Sequence, residues 1–210
     1  IFASLLSVIT LASIPSSSIN TIIVKFATAY YSKNEISKVN NFYISSLKFI
    51  IIISLIILLI FTVFSEIFSN YLNLNNSLYI IISGLTVVAF YLSTLNIAFL
   101  QSIMKFAFIS VAGFFGGVIK LIVGVILVYA GFRVFAGIWA IFFMTFGMFL
   151  VAFVPLSKIF KSVKREKVMI PKKEIINYSI PTFVTILFLT SFTSSDVILV
   201  KHFFDSHQAG

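Results

Sequence analysis

Apolar residues run along this chain in long blocks, each about the length of a membrane crossing, separated by short polar stretches. A hydrocarbon core about 30 Å thick needs roughly 20 apolar residues in a helix rising about 1.5 Å per residue. Six stretches meet that length: Ile1 to Tyr31, Tyr43 to Phe64, Leu78 to Leu100, Phe106 to Tyr129, Val134 to Leu156 and Asn177 to Phe203. In the first, Pro15 followed by Ser16, Ser17 and Ser18 predicts a kink or local break, because proline removes a helical donor and its ring crowds the preceding turn. The serine hydroxyls can satisfy the backbone groups so freed. Pro181 stands near the start of the sixth stretch, where proline is tolerated. The run Ile50 to Ile60 is nearly all Ile and Leu, with one serine, and predicts a helix turned largely toward lipid. The pattern defines an all-α fold, a polytopic transmembrane helix bundle of about six spans.

Composition strengthens this reading. Of 210 residues, 60% are hydrophobic and only 10% charged, whereas a soluble domain carries about 25% charged residues. The absence of cysteine excludes disulfides, thiolate metal sites and cysteine nucleophiles. His202 and His207 lie close to the end of the chain, so histidine chemistry is missing from most of it. No His/Glu metal spacing, nucleophile elbow or phosphate loop occurs, so no enzymatic site, metal or cofactor is expected. The 26 phenylalanines are packing and lipid-facing material rather than a base-stacking platform, and no nucleic-acid partner is expected. The chain opens on Ile1-Phe2-Ala3-Ser4-Leu5, without the basic start or cleavage site of a signal peptide. It closes on His207-Gln208-Ala209-Gly210, and it reads as a piece of a longer protein.

Charge gives direction. The net +9 is carried mostly between the apolar blocks, which points to a membrane surface and its anionic lipids. Lys33, Lys38, Lys105, Lys158, Lys161, Lys164, Arg165, Lys167, Lys172 and Lys173 fall in alternate connections, against Arg133 and Lys201 on the other side. Ten cations against two put the first group in the cytoplasm by the positive-inside rule. The first span then runs from outside to inside, and Ser157 to Glu174 forms a long basic cytoplasmic connection.

Three ionisable residues lie at membrane depth, where each needs a reason to be. Lys120 sits mid-span, with Gly113, Gly116, Gly117 and Gly124 at helical spacings around it. Such a small-residue face packs against another helix or borders a cavity. The lysine is either structural, satisfied by carbonyls, or a cation on a solvated anion path. Lys25 shares a face with Ser7, Ser18, Thr21, Thr28 and Ser32, a polar stripe suited to a bundle interior; snorkelling to the inner surface is the plainer account. Asp196 is accompanied by Thr182, Thr185 and Thr193 on its face. It reads as a coupling site, a gate with a lysine, or a hydrogen-bonded structural carboxylate.

These spans in succession resemble the multidrug/oligosaccharidyl-lipid/polysaccharide flippase superfamily, in particular its polysaccharide biosynthesis branch of O-antigen and exopolysaccharide flippases. Leu5 to Glu35, with Pro15, Lys25 and the exit Tyr31-Ser32-Lys33-Asn34-Glu35, resembles the family's second helix. Phe99-Leu100-Gln101-Ser102-Ile103-Met104-Lys105-Phe106 resembles its turn between helices four and five. Gly116 to Gly137, through Lys120 and Val128-Tyr129-Ala130-Gly131-Phe132, resembles helix five and the next turn. Tyr178-Ser179-Ile180-Pro181, Asp196 to Phe203 and Ala209-Gly210 resemble the start of its second lobe. The resemblance implies first-lobe helices over residues 1–156, an inter-lobe connection over 157–174 and the first helix of the second lobe over 175–210.

It implies a transporter, not an enzyme, in the cytoplasmic membrane. Such a flippase moves a polyprenyl-pyrophosphate-linked sugar between leaflets by alternating access of two lobes. The lipid-linked sugar, membrane lipids and polysaccharide assembly proteins would be its partners. Lys25 and Lys120 would face the anionic substrate in its cavity, Asp196 would serve coupling or gating, and Ser18, Thr21, Thr185 and Thr193 would form polar stripes. A flippase for a peptidoglycan lipid precursor and a cation-coupled multidrug exporter are rivals from the same superfamily. A membrane-embedded glycosyltransferase or polymerase is the rival of another class, and would need carboxylates or histidines in large outer loops.

The orientation has a direct test in the full-length protein. A cysteine at Ser162 should resist an impermeant thiol reagent applied to intact cells, and one at Asn75 should react; the reverse pattern overturns the assignment.

Overall fold

The computed structural model describes residues 2–74, 76–161 and 172–203, with residues 172 and 192–203 as backbone only. Eight α-helices account for nearly all of the described residues, and no strand occurs among them. They are α1 (Phe2–Ala12), α2 (Ile14–Tyr31), α3 (Ile36–Val63), α4 (Ser65–Tyr71), α5 (Leu78–Ser102), α6 (Phe106–Tyr129), α7 (Arg133–Lys161) and α8 (Lys172–Phe203). Taking α1 and α2 together, six helical segments are long and apolar enough to cross a membrane.

The helices outrun the apolar blocks. α3 starts at Ile36 rather than Tyr43, α7 continues to Lys161 past Leu156, and α8 starts at Lys172 rather than Asn177. Apolarity marks the part of a helix that meets hydrocarbon, while the polar flanks keep good helix formers such as Lys and Ser and continue the ladder. The expected connection over residues 157–174 is therefore helical at both ends, and its middle, 162–171, lies outside the described residues.

α5 is the central helix. It packs on α7, α3 and α2, and less extensively on α1, α4 and α6. Tyr91, Leu95, Asn96, Phe99 and Leu100 are all fully buried. Three helices are joined through Asn96: the Tyr43 hydroxyl of α3 donates to Asn96 Oδ1 at 2.9 Å, and Asn96 Nδ2 donates to the Phe149 carbonyl of α7 at 3.1 Å. Aromatic rings close around this relay, with Tyr43 edge-on to Phe99 at 5.0 Å and tilted over Phe160 at 5.1 Å. α3 presents the opposite picture beyond Phe49: Ile50 and Ser54 are buried, while Ile52, Leu55, Ile56 and Leu59 are open. That is the lipid-turned face its Ile/Leu run predicts.

The break in the first span falls at Ser13, with Pro15 in the opening turn of α2. The Ser16 N–H donates to Ser13 instead of Ala12, at 3.0 Å. The freed Ala12 carbonyl accepts a hydrogen bond from the Tyr91 hydroxyl at 3.1 Å. The Ser13 hydroxyl donates to Ile9 and the Ser18 hydroxyl to Ile14. The freed carbonyl is therefore met by a phenol from the neighbouring helix rather than by the serines: Ser13 and Ser18 bond carbonyls within the ladder, and the buried Ser16 hydroxyl has no hydrogen-bond partner among the described residues.

Four helix ends are closed alike. Asn34, Asn73, Met104 and Gly131 have φ of 58°, 48°, 57° and 83°, and end α2, α4, α5 and α6. In each, the next N–H reaches back five residues: Glu35 to Tyr30, Leu74 to Ser69, Lys105 to Leu100 and Phe132 to Leu127. This is the Schellman closure, which satisfies the last carbonyls and reverses the chain within a few residues. The polar or glycine residue is legible as a stop at three of these ends; Met104 is not, since its left-handed backbone is uncommon for its type.

The Asn96 relay predicts a measurable cost. Asn96→Ala strands the Tyr43 hydroxyl, removes the side-chain bond to the Phe149 carbonyl and should destabilise the full-length protein by about 1–3 kcal/mol. Thermal unfolding in detergent reads this directly, and an unchanged Tm would show that the relay contributes nothing.

Candidate functional site

A cleft of about 820 Å³ opens between α2, α3 and α8. Its floor is α2, with Pro15, Ser18, Ile19, Ile22 and Ile23, and α3 forms one wall with Phe42, Ser45, Ser46, Lys48, Phe49, Ile50 and Ile53. α8 forms the other with Ile175, Ile176, Ser179, Ile180 and Phe183. Its size lies within the range of about 300–1,000 Å³ usual for ligand sites. The lining is almost wholly apolar apart from four serines and one lysine. Ser45, Ser46 and Lys48 stand together at the end nearer the start of α3, and the wall beyond them is isoleucine and phenylalanine.

Lys48, Ser45 and Ser46 were not singled out in the sequence. Lys48 sits at the boundary between the polar opening of α3 and its apolar run, where it reads as a flank of a span. The signal was that boundary: Phe49 to Val63 holds only Ser54 and Thr62 as polar residues.

Neither Lys25 nor Lys120 lines this cleft. Lys25 turns instead to the seam between α2 and α8, where its Nζ lies 3.4 Å from the Tyr178 ring centre and 5.6 Å from that of Phe26. Phe26 and Tyr178 meet edge to face at 6.3 Å. A cation over an aromatic face is stabilised by the ring quadrupole yet keeps its charge, unlike a lysine neutralised by a carboxylate. Among the described residues the one ion pair is the half-exposed Lys38 with Glu35, at 2.6 Å.

Lys120 is exposed on α6, whose main neighbour is α7. The helices α2 and α6 are not packed on each other to any extent, so the described residues do not bring the two lysines together. The glycines around Lys120 divide into packed and open positions. A Cβ at Gly116 would meet Met148 Cγ at 2.6 Å, and one at Gly124 would meet Ala140 at 3.6 Å. At Gly113 and Gly117 it would meet nothing within 4 Å. A Cβ at the α7 glycine Gly147 would in turn meet Ile119 Cδ1 of α6 at 2.5 Å, so the two helices interlock reciprocally. A helical wheel places these glycines on one side, but the two helices touch only at part of it.

Most of the other described polar positions bond within their own helices. Ser18 is buried against its own turn and lines the cleft, while Thr21 is exposed with its hydroxyl on the Ser17 carbonyl at 3.2 Å. Thr28 reaches across to the Ser102 carbonyl at the end of α5, at 3.4 Å. Thr182 and Thr185 donate to the Tyr178 and Pro181 carbonyls of their own helix. Asp196 and Thr193 belong to α8, and their side chains lie outside the described residues.

Six apolar crossing-length segments around a buried polar relay define a multi-pass membrane protein. The family model described as polysaccharide biosynthesis protein matches residues 2–210, and the chain belongs to that family. Its role is transporter-like within polysaccharide synthesis. Neither the curated proteins nor the solved structures contain a match.

The interlock of α6 with α7 separates the glycines experimentally. Gly116→Ile forces Met148 aside and should lower the Tm of the full-length protein by several degrees, since overpacking costs about 1–3 kcal/mol. Gly113→Ala should be neutral or slightly stabilising, because alanine is the better helix former. Equal destabilisation by both variants would contradict the split between packed and open positions.

Proposed function

We propose that the protein is a flippase that carries a lipid-linked oligosaccharide, on a polyprenyl-pyrophosphate carrier, across the cytoplasmic membrane for cell-surface polysaccharide synthesis. The observation that carries the reading is Lys25. A cation at membrane depth is held at the seam between α2 and α8 by aromatic rings rather than by a carboxylate. Its charge remains available to an anionic group, and attraction is strong where water is scarce. Membership of a polysaccharide biosynthesis family is compatible with this reading, in which the anionic group is the phosphate of a lipid-linked sugar. Lys120 is assigned a second cationic position, on a part of the substrate path separate from Lys25. Asp196 is assigned to coupling or to a gate, acting from α8 with the hydroxyls of Thr185 and Thr193 along the same helix. The protein makes and breaks no bond in this reading. The lipids of the membrane and the proteins that assemble the polysaccharide are its partners.

Alternating access then follows from rocking α8, and the lobe it begins, against the helices of residues 1–156. The α2–α8 seam is the natural place for such movement, since the contacts between Lys25, Phe26 and Tyr178 that hold it are ring and cation contacts.

Complementation of cells lacking their own flippase tests the assignment. Lys25→Gln and Lys120→Gln should each lower surface polysaccharide at least tenfold at equal membrane levels, and the Arg variants should retain most export. Asp196→Asn should reduce transport while leaving insertion and Tm nearly intact. Normal export by all three neutral variants would overturn the proposed roles.

A further inference from the structure

The cleft between α2, α3 and α8 is built on a different plan from a sugar-binding cavity. A pyrophosphate-linked sugar needs many hydrogen-bonding groups and several cations, and this lining offers one lysine and four serine hydroxyls. Two of those hydroxyls are engaged on their own helices, Ser18 on Ile14 and Ser179 on Ile175. The rest is hydrocarbon. The polar groups are also segregated: Ser45, Ser46 and Lys48 lie within one helical turn of α3, and Ile50 and Ile53 follow them along the same wall.

Depth fixes what that segregation means. Lys48 precedes the apolar run of α3, and the fifteen residues from it to Val63 (63 − 48) rise about 22 Å. With Val63 at one edge of a hydrocarbon core of about 30 Å, Lys48 stands about 8 Å inside the other, and its side chain can extend from there toward the headgroup layer. Hydroxyls and a single cation stand at the end of the cleft nearer the headgroups, and an apolar trough runs from there toward the middle of the membrane. This is the outline of a two-part ligand with one negative charge at its head.

We infer that the α2–α3–α8 cleft is a site for an anionic phospholipid of the surrounding bilayer, its phosphodiester held by Lys48, Ser45 and Ser46 and its chains lying against Ile50, Ile53 and Phe183. The single cation matches the single charge of a phosphodiester. Lys48 is exposed and belongs to no ion pair among the described residues, so its charge is free for that contact. The occupant would touch α8 on one side and α2 and α3 on the other. It would thereby fill the space beside the Lys25–Tyr178 seam, in the manner of a wedge. This assignment stands apart from the transport reading, since it concerns a bilayer lipid and not the cargo.

The test uses the full-length protein in phosphatidylcholine vesicles containing a trace of phosphatidylglycerol with a photoactivatable chain. Mapping of the crosslinks should show labelling of the Ile50–Ile53 and Ile180–Phe183 segments well above that of the open α6 positions Ile122 and Val125. Lys48→Gln should cut cleft labelling about fivefold, the effect of one basic residue near an anionic surface, and Lys48→Arg should preserve it. Labelling of Ile122 and Val125 should be unchanged in both variants, which controls for insertion. Equal cleft labelling by a photoactivatable phosphatidylcholine would overturn the anionic assignment. Absence of label from the cleft, as when another segment of the protein fills it, would overturn the site itself.

Discussion

A carboxamide with no route to water must find all its partners inside the protein, and Asn96 is in that position at the middle of the bundle. Its two bonds reach a phenol on α3 and a main-chain carbonyl on α7. In a membrane, apolar contact alone gives helices little reason to choose one another, because lipid chains are as apolar as leucine. A buried amide does give one. It admits a single register for three helices, since a slip of one residue would leave the Tyr43 hydroxyl and the amide unpaired in hydrocarbon. The close approaches of Gly84 to Phe61 and of Gly147 to Ile119 are compatible with that register and fill the space it defines.

Around this core the bundle is graded. α5 is buried along half of its most apolar stretch, while α6 is buried along about a tenth of its own and depends on its interlock with α7. α8 is the least enclosed of the six spans; it packs on α1 and α2, and a ring pair and a cation join it to α2. The strongest constraints therefore lie within residues 1–161, and the weakest lie where α8 joins them.

Length and apolarity made the six crossings legible in the sequence, because those are the quantities a bilayer selects. The break near Pro15 was legible too, since a missing N–H leaves few alternatives. The start of α3 and the end of α7 were not: their polar turns carry no signal of where a helix leaves the membrane and yet continues. α4 was hidden by shortness, and it inverts the usual pattern, burying Ser65 and Ser69 while exposing Ile67 and Tyr71. For the site, spacing could place Lys25 and Lys120 on polar or small-residue faces but could not say which helix each face would meet. Tyr178 as the partner of Lys25 is a tertiary fact, invisible to periodicity. Lys48 was passed over because a lysine at the rim of an apolar run is ordinary in isolation; only the opposing wall of α8 turns it into part of a site.

The parting of α1 from α2 at Ser13 has a mechanical corollary. In an unbroken helix every turn is pinned to the next, and bending it breaks bonds that lipid cannot replace. Here the two rods share a joint whose exposed carbonyl is already borrowed by Tyr91 of the immobile central helix. The joint is thus anchored as well as bent: the Ala12 carbonyl that the break frees keeps a partner on α5. Because α8 leans on both rods, their mutual angle sets how α8 is seated, and a few degrees at Ser13 become a displacement of ångströms at its far end.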